Sequence, residues 1–489
     1  MGSDNTDTFE SIEELRGSYV ELLLGALREG LSAVGEVAKS GVYIGTYYDF
    51  PSLSYNKNGL PSFSSTIGNG PTDYRGCFAS WGGEPKINED EIAGFNDLVE
   101  FVRSNDRLHR RFLINGNPNP DKELKIEFDK ISIISGIKDC IERYIHKFGE
   151  FEYDHEKAIS VVAPTVSYLF DRNLRIDISI PILFLDFNFD RLQIADGIIV
   201  ERIPDLEHKA RYKVKSYNTS AHQNVVSSAT HALVLKGWHV PNTERMWDFD
   251  ILSKARAYPI ELIDQFFGAL RVIKPVETGY AQVYAVAKEW DAHCTADLPY
   301  LQGATLRSYP GWFEDYYWNT ESIPTVSDEV MDKVKVVFNK IQSAKENSIN
   351  LAFKRLNRCV IRDEEEDAVL DATIALEALL SDGNQEMTHK LALRVGALAN
   401  LDDQNKKSPS QVFRDVKKIY SYRSAIAHGS RDLDKKRVIK IEDEKTTTAH
   451  DLVIEYLRMI LRVVLKYEKY RTPKFIDEQL LLGDNSDHA

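Results

Sequence analysis

One change of hydrophobic period, near residue 325, constrains this chain more than any single motif does. Upstream of it, LRIDISIPILFLDF (174–187), LQIADGIIVERI (192–203), HALVLKGWHV (231–240) and YAQVYAVAKEW (280–290) carry β-branched and aromatic residues at strand lengths. ELKIEF (123–128) and AISVVAPTVSYLF (158–170) have the same texture and read as strands as well. Helical periods interleave at residues 9–39, 137–147 and 259–273, and the Gly-, Pro-, Ser- and Asn-rich residues 51–83 read as a long loop. Downstream the strand signal stops, and helical segments succeed one another at 328–345, 349–362, 364–380, 385–400, 408–428 and 447–470, joined by loops short enough for antiparallel neighbours. The boundary falls in NTESIPTVSDE, where Pro324 precedes a Ser327/Asp328 helix start. The pattern predicts an α+β chain: a mixed α/β region over residues 1–325, long enough for two subdomains, then an all-α helical bundle over 326–480. The sequence contains no internal repeat.

Composition narrows the function classes. The first residues are acidic where a secretory signal needs a basic and then an apolar stretch. The longest apolar run, residues 178–187, is broken by Pro181 and Asp186 and is far shorter than the roughly 20 residues that span a bilayer. Cys77, Cys140, Cys294 and Cys359 are scattered, without metal-site spacing, which fits a reducing cytoplasm. The net charge of −14 argues against a chain that coats nucleic acid with its whole surface. That excess belongs entirely to residues 1–340, since 341–489 sum to zero, and residues 411–440 hold nine basic residues against three acidic.

Those basic residues surround YSYRSAIAHGS (420–430). The helix leading into it has apolar residues at Val412, Phe413, Val416, Ile419, Tyr420, Ile426 and Ala427, and Arg423 falls inside that stripe. A buried cation needs a counter-charge, and Glu377, in the otherwise apolar TIALEALL, is the candidate; a purely structural Arg423–Glu377 pair is one reading. Arg423 and His428 are about 140° apart on a helical wheel, so one continuous helix does not aim both at one atom. Either the helix ends at His428, as Gly429 suits, or two copies of the motif meet across a dimer interface.

YSYRSAIAHG, preceded by DATIALEALLSDGNQEMTHKLALRVGALAN, resembles the Apea-like branch of the HEPN domains, helical bundles of prokaryotic defence and toxin systems. Arg423-x4-His428 matches the R-x4-6-H motif of HEPN ribonucleases, and IALEALL and KLALRV match the two preceding helices. The likeness covers residues 345–475. Ser424 stands where many members carry Asn, Asp or His after the arginine. The resemblance implies a metal-independent endoribonuclease in anti-phage defence by abortive infection, with Arg423 and His428 catalytic, Glu377 and Ser424 orienting, and an RNA approach formed by Lys417, Lys418, Arg431, Lys435, Lys436 and Arg437. It further implies an RNA substrate, a homodimer or larger oligomer, a phage-derived trigger sensed by residues 1–325, and no cofactor or metal. The chemistry agrees: cleavage needs groups to take a proton from the 2′-hydroxyl and give one to the leaving oxygen, which imidazole can do, and a cation for the phosphorane, which suits guanidinium. The alternative is an inactive HEPN scaffold that binds a partner protein or nucleotide.

Other constellations read as structural. RSNDRLH (103–109) fits an R-x5-H spacing outside the bundle. Asp196 with Glu207-His208-Lys209 has the order of a metal-nuclease motif but lies in polar sequence, and His222, His231 and His239 lack ligand spacing. The aromatic YPGWFEDYYW (309–318) reads as an interdomain seam. No G-x-x-x-x-G-K-[ST] loop occurs, which argues against NTP hydrolysis.

Overall fold

The computed structural model describes residues 12–481 apart from 69, 79–84, 114–126, 215–221, 243–251, 308, 310, 320, 345, 383–386 and 441–445. The strand expected at 123–128 lies almost wholly outside the described residues, and Phe128 opens a helix instead. Helix α1 (Ile12–Lys39) buries Leu15, Tyr19, Leu23, Leu27, Leu31 and Val34 along one face. The segment that composition assigns to a loop contains a hairpin, β1 (Asp49–Tyr55) paired antiparallel to β2 (Pro61–Ile67). Asn58-Gly59 turns it, with Gly59 at φ 82°, a backbone that glycine adopts without a Cβ clash.

Helices α2 (Ala93–Ser104), α4 (Phe128–Phe148) and α5 (His155–Phe170) pack with α1, and the short α3 (Asp106–His109) packs on α2. Helix α5 occupies AISVVAPTVSYLF, which reads as a strand by residue type. Its buried Ala158, Val161, Val162, Val166 and Leu169 have helical spacing, and Asp154 caps it by accepting the N–H of Lys157. Pro164 is tolerated because Ser160, whose carbonyl it deprives of a helical donor, is exposed to water.

The strand-rich part forms one antiparallel sheet of six strands. Central β3 (Asn173–Leu183) is followed in the chain by the two-residue β4 (Asp186–Phe187), β5 (Arg191–Ala195), β6 (Ile198–Arg202), β7 (Ala229–Pro241), β8 (Gln282–Ala287) and β9 (Leu301–Thr305), and the spatial order is β5-β6-β7-β3-β8-β9. Ile176, Ile178, Ile180 and Ile182 of β3 join the main core on one face. On the other face Ser179 and Tyr284 donate to Glu207 at 3.1 and 2.8 Å. Glu207 belongs to α6 (Asp205–Tyr212), which precedes the short α7 (Gln223–Ser227). Pro181 lies beyond the last pairing of β3 with β8, Ser179 opposite Tyr284, so its missing N–H breaks no ladder there.

Helices α8 (Ile260–Ile273) and α9 (Phe313–Asn319) and the two-residue β10 (Thr325–Val326), parallel to β4, lead into the helical part. The Ser327 hydroxyl caps α10 (Asp328–Ser343) by accepting the Val330 N–H, as the sequence signals. Then come α11 (Asn347–Cys359), α12 (Glu365–Leu380), α13 (Met387–Leu398), α14 (Pro409–His428), the short α15 (Leu433–Arg437), a small hairpin of β11 (Val438–Lys440) and β12 (Thr446–Thr448), α16 (Ala449–Lys466) and α17 (Pro473–Ile476). The six long helices stand where their periodicity places them, and the fold is α+β with a helical C-terminal part.

The change of period at 325 is a change of architecture and not a gap in the core. Helix α8, from the strand-rich part, packs against α10, α11 and α16. Its buried Arg271 donates to Asn357 and to the Thr278 carbonyl, and Asn357 donates to the Asp264 carbonyl at 2.7 Å. Arg462 of α16 reaches the Val272 carbonyl at 3.0 Å. Phe313 and Tyr317 are buried in a cluster of residues from the strand-rich part, among them Phe184 and Ile199, which Val360 of the helical part joins. Among the described residues no helix is long and apolar enough to cross a membrane, and the four cysteines are buried free thiols.

Candidate functional site

Helix α14 carries the R-x4-H pair and is defined at both ends. Ser408 accepts the Gln411 N–H at its start, and Pro409 takes the first turn, where its missing N–H has no role. At its end Gly429 adopts the left-handed conformation, φ 59° and ψ 42°, and the N–H of Ser430 returns to the Ala425 carbonyl at 3.0 Å. His428 is therefore the last helical residue, and it is exposed.

The buried face of α14 is turned from the one the apolar residues predict. It consists of Gln411, Val412, Asp415, Val416, Ile419, Tyr420, Tyr422 and Ala425, while Phe413 and Ile426 are half-buried and Ala427 is exposed. Two polar residues that the pattern left out can be buried because each finds a partner: Asp415 accepts from Gln411 Nε2 at 2.8 Å and Tyr456 Oη at 2.7 Å, and the Tyr422 hydroxyl reaches Glu366 at 3.3 Å. Arg423 accordingly stands at the flank of the stripe rather than within it, its side chain 37% exposed.

Glu377 is the nearest counter-charge, but its Oε1 is 3.9 Å from Arg423 Nη2, beyond hydrogen-bond reach. The Nε of Arg423 is enclosed, with no hydrogen-bond acceptor among the described residues. This is not the tight buried pair of the structural reading. Tyr420 lies beside the same carboxylate; burial first, and then the Glu377 charge, push its hydroxyl well above the usual tyrosine range. Ser424 is exposed on the next position round the helix.

The basic residues divide into two sets. Arg414, Lys417 and Lys418 form an exposed strip along α14 that leads to Ser421, Ser424 and His428. Lys417 lies over the Phe413 ring, and Lys418 donates to the Lys440 carbonyl at 2.9 Å. In the segment after the motif, Arg431 and Lys435 are exposed and Lys436 is half-buried, but Arg437 is engaged by both oxygens of Glu365, at 2.7 and 2.8 Å.

That pair borders a cavity of about 480 Å³ between the two parts of the molecule, lined by Glu277 and Trp312 from the first and by Arg362, Glu365, His450 and Arg458 from the second. Burial raises the Glu277 carboxyl, which accepts from the Tyr316 hydroxyl, and lowers Arg458 to about 10. Glu365 and Glu366 thus tie the first turn of α12, beside this cavity, to Arg437 and Tyr422 around the motif. Sequence reading missed the arrangement because its members lie up to 181 positions apart, from Glu277 to Arg458, with no local spacing to betray them.

The rejected constellations are mostly packing devices. Glu207 and His208 lie on α6, not on a strand; His208 is buried, receives the Arg211 Nε–H at 3.1 Å, and is pushed down to about 2 by burial and by Arg211. His231 is enclosed between the Phe189 carbonyl and Thr230, each at 2.8 Å. In the other R-to-H pair, Arg103 and His109 converge on one carboxylate: Asp129 takes Arg103 Nε at 2.7 Å, Arg103 Nη2 at 3.0 Å and His109 Nε2 at 3.0 Å.

Comparison with models of protein families, with curated proteins and with solved structures finds no match.

Proposed function

We propose that the chain is a metal-independent endoribonuclease of the HEPN type, acting in the cytoplasm as an effector of anti-phage defence by abortive infection. The observation that carries this reading is the end of α14: a helix stopped by Gly429 immediately after an exposed His428, with a half-exposed arginine one turn earlier that no carboxylate of the described residues holds within hydrogen-bond distance. An imidazole at a helix terminus is free to exchange protons with a bound sugar hydroxyl or leaving oxygen. A guanidinium so loosely held can turn to a phosphate without first breaking a tight ion pair.

One copy supplies one histidine and one arginine, and the chemistry uses an acid and a base. Two copies meeting on the small exposed residues Ser421, Ser424 and Ala427 would bring two motifs together, with the Arg414, Lys417 and Lys418 strip as the approach for RNA. Arg437 drops from the RNA-binding set in this reading, because its charge is matched by Glu365. The N-terminal region restrains or triggers the site through the seam that α8 builds with α10, α11 and α16, in response to a phage-derived signal.

Purified wild type and His428→Ala incubated with total RNA in EDTA test the reading. Cleavage by wild type alone supports it. Cleavage that requires a divalent ion points to a different nuclease, and no cleavage by either points to a binding scaffold.

A further inference from the structure

The N-terminal region contains a cavity of about 560 Å³ between α1, α4, α5 and the sheet edge at β9, within the size range of small-molecule sites. Helix α4 presents two contrasting faces. Ile133, Ile134, Ile137, Cys140 and Ile141 are buried in the main core. Ser132, Ser135, Gly136 and Asp139, spaced i, i+3, i+4, i+7, line the cavity instead. That spacing marks an inward face, yet these residues are small and polar.

Gly136 is the informative position. A glycine in the middle of a long helix weakens it relative to alanine, and close packing is the usual compensation. Gly30 and Gly268 show that compensation, since a Cβ would fall 2.3 Å from Ile141 Cδ1 and 2.5 Å from Phe353 Cδ1; Gly17 and Gly25 of α1 do not, but neither lines this cavity. A Cβ on Gly136 would meet nothing within 4 Å. The missing side chain therefore leaves space without improving a contact.

The walls are aromatic and ordered. Tyr168 stacks on Trp290 at 5.9 Å, Trp290 meets Tyr300 edge-on at 5.4 Å, and Gln302 donates to the Tyr300 hydroxyl at 2.7 Å. Asp139, 6% exposed, supplies the one carboxylate among the described lining residues. Its Oδ2 accepts from His293 at 3.1 Å and from the Cys294 N–H at 3.4 Å. Oδ1 is enclosed, and Arg75 Nη1 stands 2.7 Å from it as an ion pair. Among the described residues no lysine or arginine lines the cavity. The neighbouring Cys294 thiol is buried, donates to the Ala296 carbonyl and is pushed up by burial, so the site has the groups of a receptor rather than of a nucleophile.

We propose that this cavity binds a flat aromatic or heteroaromatic small molecule, neutral or cationic, whose ring lies among Tyr19, Tyr168 and Tyr300. Anionic relatives should bind more weakly, because among the described residues no lining lysine or arginine can meet a carboxylate or phosphate. The site stands independently of the nuclease reading.

The test is calorimetric titration of the full-length protein with adenosine, tyramine and benzamidine, with AMP and benzoate as anionic counterparts. At least one of the first three should bind saturably, and the anionic counterparts more weakly. Gly136→Met, which fills the open space, should fold and melt like wild type yet weaken binding by about tenfold or more, the factor that 1.4 kcal/mol carries. Ser135→Leu, one residue along the same face, gives a second plug should the first fail to fold. The proposal is overturned if none of the three probes binds, if the anions bind equally well, or if a folded plugged variant keeps full affinity.

Discussion

Arg103 and His109 in one region of this molecule and Arg423 and His428 in another have nearly the same spacing, and the structure treats the two pairs in opposite ways. At the junction of α2, α3 and α4, Arg103 and His109 both close on Asp129, a carboxylate 11% exposed, with every contact at 3.0 Å or less. At the end of α14, Arg423 and His428 share no partner among the described residues, where the nearest acid stands 3.9 Å from the guanidinium. A pair whose hydrogen-bonding capacity is used up inside the protein holds elements together. A pair left half-satisfied at a helix end remains available to something that arrives. The spacing is almost the same in both, so spacing alone says nothing about which role a pair has.

The comparison would break most visibly in activity. Arg423→Ala and His428→Ala should each reduce RNA cleavage by about a hundredfold or more, the range lost with a charge-stabilising donor or a positioned acid–base group. Neither should move the melting temperature much, since both side chains reach the surface. Arg103→Ala and His109→Ala should leave cleavage per folded molecule unchanged. Single-turnover rates in EDTA, read beside calorimetric melting, would show the roles exchanged if the assignment is wrong.

Stability gives the converse effect, one step smaller. Arg103→Ala removes a two-pronged, charge-assisted contact and should cost about 1.5–3 kcal/mol, the range for hydrogen bonds to charged groups, read from urea midpoints. The pH dependence sharpens it. Burial raises the Asp129 carboxyl, but hydrogen bonds from Arg103 and His109 outweigh it and hold the group well below the usual carboxylate range. A folded-state value depressed in this way contributes stability that is present above the unfolded value near 4 and is lost as the pH falls below it. The stability gap between wild type and Asp129→Asn should therefore be full at pH 7 and shrink in acid. A gap unchanged down to pH 3 would mean that the carboxylate is not what holds this junction.

Salt dependence separates the basic residues more finely. Replacing Lys417 or Lys435 with Gln should lower the slope of log affinity for RNA against log salt by about 0.7, the single-strand value per phosphate contact. Arg437→Gln should change it less, because Arg437 is already matched by Glu365. Equal slopes for all three would remove the distinction between Arg437, held by both oxygens of Glu365, and Lys417 and Lys435, the latter facing Asp432 only at 3.7 Å.

Long periodic helices were legible in the sequence because they bury one face against a large core, and α10, α11, α12, α14 and α16 lie where their spacing puts them. Helix α5 was not, since Val161, Val162 and Val166 weigh towards strand by type while their spacing, and Asp154 as a cap, weigh towards helix; the spacing prevailed. The β1–β2 hairpin was hidden in a segment read by its glycine and serine content, although Asn58-Gly59 is a hairpin turn signal in itself. At the candidate site, the helix stop at Gly429 followed from local chemistry. The depth of Arg423 did not, because Asp415 and Tyr422 are buried only by virtue of Gln411, Tyr456 and Glu366, and two of those three lie on other helices. Polar residues paired across elements rotate a helix in ways that a one-dimensional pattern cannot register.

The smallest expected effect is also the most discriminating one for Arg423. If Glu377 were the buried partner that fixes the arginine, removing its charge would leave a cation stranded and cost about 3–5 kcal/mol. The geometry predicts otherwise. The separation is 3.9 Å, the arginine side chain is 37% exposed and the glutamate 21%, so solvent screens the attraction, and loosely exposed pairs contribute about 0–1 kcal/mol. Gln at 377 retains a group able to hydrogen-bond the neighbouring Tyr420 hydroxyl, so Glu377→Gln should melt close to wild type. Its effect on cleavage then separates two roles. Should Glu377 position the guanidinium for phosphate, the variant loses rate at unchanged stability, and raising the RNA concentration does not restore it. Should Glu377 merely lie nearby, both rate and melting temperature stay put. A large fall in melting temperature, with activity declining only as the protein unfolds, would return Arg423 to the same class as Arg103.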